Sequence, residues 1–439
     1  MSQTWLSIVG FLVVFGIIFA IMSKRLTTVI ALAVIPLIGA ILVGKFNEIP
    51  AYMSAGISKV AVNGVMFFFA VLFFGTMMTA GAFDPVVKFI VKCCKGNPLY
   101  ICIGTYVLSI IGHLDGSATT TVLLVCGVMV PIYKKMNMRL RNLACILAMG
   151  SGLMNMSPWG GPTLRAATVM DIELNTFFKP MLVPILITLA IGLIPVIFLG
   201  LAENKRLKAA GFEYHKVEIS SGEEEMSGDE RALRRPKMTI PNLIVIVAVI
   251  ALMISGILTP GAAFLLGTVL AWMLNYRSLA DQQKIMRLHG PNMVFVVSAL
   301  YGAGVLMGVL TNSGMAAAMA NTLVSLIPAS LTKFVPVFVG ALATPLSLVF
   351  DADTFYYGIL PVLTQCAAAL GISGSGICYA ALVGQLTLGW AITPLTPATL
   401  LMCGMCDLNL GDHQKFTLKF VWPLSIILLI IMMIFGLIF

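Results

Sequence analysis

The sequence predicts an all-α polytopic membrane protein, folded as an inverted repeat of five spans plus one re-entrant hairpin per half, with broken transmembrane helices. Three observations point there. First, 59% of the 439 residues are hydrophobic and only 10% are charged, whereas soluble domains carry roughly 25% charged residues. Second, apolar runs of about 20 residues, the length that crosses a bilayer as a helix, recur along the whole chain. Third, polar interruptions of those runs fall at corresponding places in two halves. A β-barrel would instead alternate apolar and polar residues in segments of about ten, and no such pattern occurs.

The first half contains spans near 5–22, 26–44 and 60–80, then a basic amphipathic piece at 84–95 carrying Lys88, Lys92 and Lys95. The run 98–131 is interrupted by Gly112, His113, Asp115 and Gly116, and reads as a hairpin with a polar tip. Segment 141–170 is broken by NMSPWGGPT (Asn155 to Thr163), and a clean span covers 180–201. The polar stretch 202–238 reads as a solvated cytoplasmic linker. The pattern then returns: spans near 239–258, 261–276 and 292–311, an amphipathic piece at 313–330, and a second hairpin over 333–361 broken at TPLSLVFDADT (Thr344 to Thr354). A second broken segment, 374–404, is interrupted by GWAITPLTPAT (Gly389 to Thr399), and a last span covers 418–439. The halves are therefore 1–201, with scaffold spans in 5–80, and 239–439, with scaffold spans in 239–311.

Charge gives the orientation. The net charge of +9 follows from the positive-inside rule and does not call for nucleic acid. Between residues 84 and 145 lie Lys88, Lys92, Lys95, Lys134, Lys135, Arg139 and Arg141; between 312 and 373 lies only Lys333. The first hairpin is thus expected to enter from the cytoplasm and the second from outside. An odd number of crossings per half gives the same inversion, and inverted repeats hold substrate near the midplane between discontinuous helices. The first apolar run is followed by Lys24 and Arg25 and lacks a small-residue cleavage site, so it reads as an uncleaved span. The nine cysteines sit mostly in apolar segments as small hydrophobes. Cys403-x-x-Cys406 has no second pair to complete a metal site.

Non-helical backbone at membrane depth persists only where protein buries it or a watery cavity meets it. Two hairpin tips and two mid-helix loops meet that description here. Half-helix N-termini attract anions, and C-terminal carbonyls attract cations. The candidate substrate ligands are Ser117 and Thr119 on the first tip; Asn155, Gly160, Gly161, Thr163 and Arg165 on the first loop; and Thr354, Thr396 and Thr399 in the second half. Arg165 has the strongest chemical case, because guanidinium binds carboxylate as a fork; pairing with an internal Asp is its bland alternative. His113, Asp115, Asp351 and Asp353 are candidates for proton or cation coupling, Asp115 and Asp353 also for a metal ion, since hard cations prefer oxygen ligands. One of Asp351 and Asp353 is expected only to cap the returning helix. His413 reads as structural. His113, Asp115 and Ser117 stand too close in sequence for a Ser-His-Asp triad, and no hydrolase, metalloprotease or phosphate-loop motif occurs, so no enzyme is expected.

The blocks LDGSATTT (Leu114 to Thr121), NMSPWGGPTLRAA (Asn155 to Ala167), FYYGILPVL (Phe355 to Leu363) and LGDHQKFTLK (Leu410 to Lys419) resemble the citrate–metal–proton symporters, the CitMHS family of the ion transporter superfamily. The resemblance implies proton-coupled secondary uptake of citrate or a related di- or tricarboxylate in the cell (inner) membrane. The substrate would travel as a complex with Mg2+ or Ca2+. It further implies elevator-like alternating access in a homodimer, with no covalent cofactor. A gluconate-type sugar-acid permease, a Na+-coupled symporter and a passive anion channel are the alternatives. Family members associated with metal–citrate tend to read Leu-Asp-Gly-Asp-Gly at the first tip; Ser117 and Ala118 stand in place of the second Asp and Gly.

Overall fold

The computed structural model describes residues 2–23, 25–94, 96–211, 232–255, 257–326 and 329–439. Lys24, Lys95, residues 327–328 of the second amphipathic piece and residues 212–231 of the expected linker lie outside them. The elements of the first half are α1 (Gln3–Met22), α2 (Thr28–Leu42), α3 (Ile49–Ala80), α4 (Asp84–Cys94), α5 (Pro98–Gly112), α6 (Ala118–Lys135), α7 (Leu140–Met154), α8 (Gly161–Met170), a short α9 (Leu174–Phe178) and α10 (Leu182–Ala209). After the linker come α11 (Thr239–Ile254), α12 (Pro260–Asn275), α13 (Leu279–Asn312), α14 (Met315–Leu326) and α15 (Val335–Leu346). A π-helical turn (Thr354–Ile359) then leads into α16 (Leu360–Ala369), α17 (Gly374–Leu382), α18 (Pro397–Met405) and α19 (Leu410–Ile434).

Six helices among the described residues are individually long and apolar enough to cross a membrane. Of the arms of the expected hairpins, α6 is one of these six, while α5 and α15 are shorter. At 1.5 Å per residue, the 15 residues of α5 reach about 22 Å and the 12 of α15 about 18 Å, short of a hydrocarbon core of about 30 Å.

Two spans are longer than the apolar runs suggest. α3 starts at Ile49, with Pro50 in its first turn, where proline's missing N–H costs nothing. α13 starts at Leu279 because the Ser278 hydroxyl accepts the Asp281 N–H at 3.1 Å, which winds the polar residues 279–290 into the helix. With 32 and 34 residues, the two helices lie against one another. α3 also packs on α12, and α13 on α2, so the contacts of one half are answered in the other.

The ends of the expected linker are structured as well. α10 runs on to Ala209 because Glu203, 1% exposed, accepts from Asn142 at 3.1 Å and from Arg206 at 2.7 Å. Residues 232–238 dock on the core. The Arg235 amide donates to the Ala80 carbonyl and the Tyr276 hydroxyl to the Leu233 carbonyl, while Arg234 pairs with Asp84 and Arg235 with Asp281.

Candidate functional site

Four breaks interrupt the helices: the tip 113–117 between α5 and α6, the loop 155–160 between α7 and α8, the tip 347–353 before the π turn, and the loop 383–396 between α17 and α18. The last begins six residues earlier than the expected Gly389. Gln385 lies in the unwound stretch itself. The cause is tertiary. Ser347 reaches across from the second tip and its hydroxyl accepts the Leu386 N–H at 3.0 Å, replacing the helical partner of that amide. Leu386 then turns through φ +51°.

The breaks are joined to one another by hydrogen bonds over long sequence distances. The Trp159 indole in the first loop donates to the Leu114 carbonyl in the first tip at 2.6 Å. The Asn155 amide donates to the Leu386 carbonyl in the second loop at 2.7 Å. Gln385 donates to the Phe350 carbonyl of the second tip at 3.2 Å, and the Tyr356 hydroxyl donates to the Gln385 carbonyl at 2.8 Å. The His113 ring lies parallel to Trp390, with centroids 6.2 Å apart and an interplanar angle of 11°. The expected convergence of four discontinuous places is thus present in the described residues.

Arg165 and Asp353 meet across the halves. Arg165 donates from Nε at 2.9 Å and from Nη2 at 2.7 Å, both to Oδ1 of Asp353, and each side chain is 9% exposed. The guanidinium carbon lies 5.7 Å from the Tyr357 ring centroid, within cation–π range. Asp351 does the capping work in this tip: its carboxylate accepts the Thr354 amide at 2.9 Å and the Thr354 hydroxyl at 2.8 Å. With the helix start satisfied by Asp351 and Thr354, Asp353 is left to the guanidinium. The π turn that follows brings Tyr356 and Tyr357 inward together, and such turns recur at functional sites.

In the first tip, Asp115 accepts the Ser117 amide at 2.8 Å, and Ser117 caps α6 by accepting from Thr120. Thr121 donates its hydroxyl proton to the Ser117 carbonyl at 2.8 Å, so its oxygen accepts from His113 Nδ1 at 2.7 Å. A neutral His113 therefore presents Nε2 as an acceptor. Thr119 is exposed, two residues from Thr121 and on the opposite side of α6. Thr396 at the end of the second loop and Thr399 in the first turn of α18 both donate to the Trp390 carbonyl, at 3.2 and 2.7 Å. They close the loop. His413 and Gln414 at the start of α19 donate to the carbonyls of Ala391 and Ile392, at 2.8 Å each, which ties α19 to the second loop.

Among the described residues, four buried side-chain atoms on these breaks have no hydrogen-bond partner: His113 Nε2, Ser157 Oγ, Thr163 Oγ1 and Trp390 Nε1. Asn155 stands beside the His113 ring but outside hydrogen-bonding geometry with Nε2. Unsatisfied buried polar groups are scarce in folded proteins, and these are donors or acceptors of the kind a hydroxy-carboxylate uses. Ser157 is one of the polar residues that the first loop offers in the sequence, whereas nothing there marks Trp390 as a ligand. No group of three or more His, Cys, Asp or Glu suited to a metal ion occurs among the described residues; Asp115 and Asp353 are each engaged within their own surroundings.

Gly160 and Gly161 start α8. A Cβ at Gly160 would lie 2.1 Å from the Asn155 carbonyl oxygen, and one at Gly161 2.8 Å from Arg165 Nη1. Gly160→Ala is therefore expected to displace the first loop, because its obstacle is backbone. Transport by G160A at matched expression, measured in vesicles, should fall at least about tenfold, the scale of a site misplaced by an ångström or so.

The citrate transporter family model, CitMHS, matches residues 17–384. A citrate transporter of Bacillus subtilis (strain 168) is 36% identical over 436 residues, covering 99% of both chains. A Mg(2+)/citrate complex secondary transporter of the same organism is 33% identical over 433 residues, 98% of each. The solved structure of Neisseria gonorrhoeae MtrF superimposes with a TM-score of 0.58 at 14% identity, over 90% of this chain and 84% of that one, which is a likeness of fold. The chain therefore belongs to the citrate transporter family CitMHS, and is a multi-pass membrane transporter and not an enzyme.

Proposed function

We propose that the protein is a proton-coupled secondary transporter of citrate or a closely related di- or tricarboxylate. It carries the anion across the cell membrane as a complex with a divalent metal. The observation that carries this reading is the buried Arg165 at the start of a half-helix, on the same joined breaks as four unpartnered polar atoms. Guanidinium, an indole N–H and hydroxyls suit the carboxylates and hydroxyl of citrate. The names of the two Bacillus subtilis relatives support the substrate, and one of them supports the metal complex. With no acidic cluster among the described residues to hold a metal, the cation enters as cargo, coordinated mainly by the citrate oxygens. His113 and Asp115 on the first tip are the candidates for carrying the proton.

The halves 1–201 and 239–439 are read as an inverted repeat, with α1–α3 and α11–α13 as scaffold and the hairpins and broken helices as the moving part. Polar links between the two parts include Asn63 to Thr168 at 3.1 Å and Lys59 to Asp171 at 3.0 Å; an elevator-like displacement would break both. A homodimer held by the scaffold fits the same scheme. The test is counterflow of labelled citrate in proteoliposomes, with Mg2+, Ca2+, Na+ or a pH gradient varied singly. Accumulation that needs a divalent ion and a proton gradient is expected. Competition by gluconate but not citrate, or a requirement for Na+, would replace the reading with a sugar-acid permease or a sodium symporter. Leak without accumulation would make it a channel.

A further inference from the structure

Arg165 carries a carboxylate already, and it belongs to the protein. We propose that Asp353 is an internal occupant of the substrate's carboxylate site, so that Asp353 and a citrate carboxylate are mutually exclusive on the Arg165 guanidinium. This deepens the transport reading above and rests on it.

Four features of the pair support exchange over a fixed structural bridge. Both Arg165 bonds fall on one oxygen, Oδ1, so the pair lacks the parallel two-oxygen fork in which guanidinium and carboxylate fit best. A substrate carboxylate able to use both oxygens would improve on it. The partners come from separate segments, α8 and the second tip, 188 residues apart; the tip is non-helical from Ser347 to Asp351, and Asp353 stands in the turn where the helix resumes. The tip does not depend on Asp353 for its own closure, since Asp351 and Thr354 make the capping bonds. Finally, the space beside Arg165 Nη1 is kept open by Gly161, whose Cβ would stand 2.8 Å from it.

The exchange has a consequence for coupling. Arg165 and Asp353 are neutral together, and both are buried. A citrate carboxylate arriving alone on Arg165 would strand Asp353 as an unpaired buried charge, which is strongly unfavourable. The same carboxylate arriving with a divalent cation brings a positive charge that Asp353 can face. The swap therefore favours the metal complex over the bare anion and needs no dedicated metal site to do so.

Equilibrium binding of 14C-citrate to the purified full-length chain, in Mg2+ and in EDTA, tests the swap. Asp353→Asn removes the competing charge. Metal-free citrate should then bind at least about tenfold more tightly than to the unaltered chain, because the competent state is no longer masked, and the gain from Mg2+ should shrink to under about twofold. Asp353→Glu keeps a carboxylate and should retain the Mg2+ requirement. Should D353N fail to fold, the unaltered chain labelled with 13C-aspartate gives a second readout. Adding Mg2+ and citrate should shift an aspartate carboxylate band in the infrared difference spectrum. D353N binding citrate with unchanged affinity and unchanged Mg2+ dependence, or no aspartate band moving, overturns the inference while citrate binding by the unaltered chain leaves the transport reading standing. No citrate binding by the unaltered chain overturns the transport reading, and the inference with it.

Discussion

Replacing Arg165 with methionine is expected to abolish citrate uptake and to destabilise the protein at once. The substitution leaves Asp353 as a lone carboxylate in a site that is 9% exposed, and removing one partner of a buried pair costs about 3–5 kcal/mol. A double variant separates the two effects. Arg165→Met with Asp353→Leu removes the stranded charge, so the thermal midpoint should recover much of the loss while uptake stays absent, because no guanidinium remains for the substrate. Recovery of both stability and uptake would assign the pair to architecture alone. Arg165→Lys is a gentler probe. An ammonium keeps the charge but cannot reproduce the Nε and Nη2 pair of bonds, so citrate affinity should weaken by about tenfold or more.

Gly56→Ala is expected to be nearly as damaging, for a purely steric reason. A Cβ at Gly56 on α3 would lie 1.9 Å from the Gly304 carbonyl oxygen and 3.0 Å from the Gly308 Cα on α13. On the other side, a Cβ at Gly308 would lie 2.1 Å from the Tyr52 carbonyl oxygen. Close backbone approach at Gly-x-x-x-Gly is how membrane helices gain packing without a hydrophobic drive, and here it joins the longest helix of each half. Because backbone faces backbone, no rotamer change relieves the clash. Overpacking costs about 1–3 kcal/mol where side chains can adjust, and G56A should lie at or beyond the top of that range. Thermal unfolding of the purified protein checks this, with Gly127→Ala as the control: its Cβ meets nothing within 4 Å and its midpoint should stay within a degree or two. Equal midpoints for the two variants would refute the crossing.

Much of this architecture is written locally in the sequence. Gly, Pro, Ser and Thr inside apolar runs mark where helices stop, and the first tip and first loop fall where those residues place them. The second loop starts early because Ser347, on another hairpin, supplies the capping acceptor for Leu386, a contact no local pattern records. The π turn over Thr354–Ile359 has no compositional sign either. Arg165 and Asp353 were each legible as unusual residues at membrane depth, but their pairing spans 188 positions. Nothing in the sequence assigns Trp159 or Trp390 a role of its own. Only the fold shows that one ties the first tip to the first loop and that the other holds an indole N–H without a partner. Thr396 and Thr399, chosen for their hydroxyls, have those hydroxyls on the Trp390 carbonyl.

The most direct measurement is a cryomicroscopy map of the purified protein with Mg2+ and citrate. Ligand density is expected among the four breaks, in contact with Arg165 and within reach of His113, Ser157, Thr163 and Trp390, with the Asp353 carboxylate moved off the guanidinium. Ligand density elsewhere, with Arg165 and Asp353 still bonded to one another, would contradict the assignment of the site.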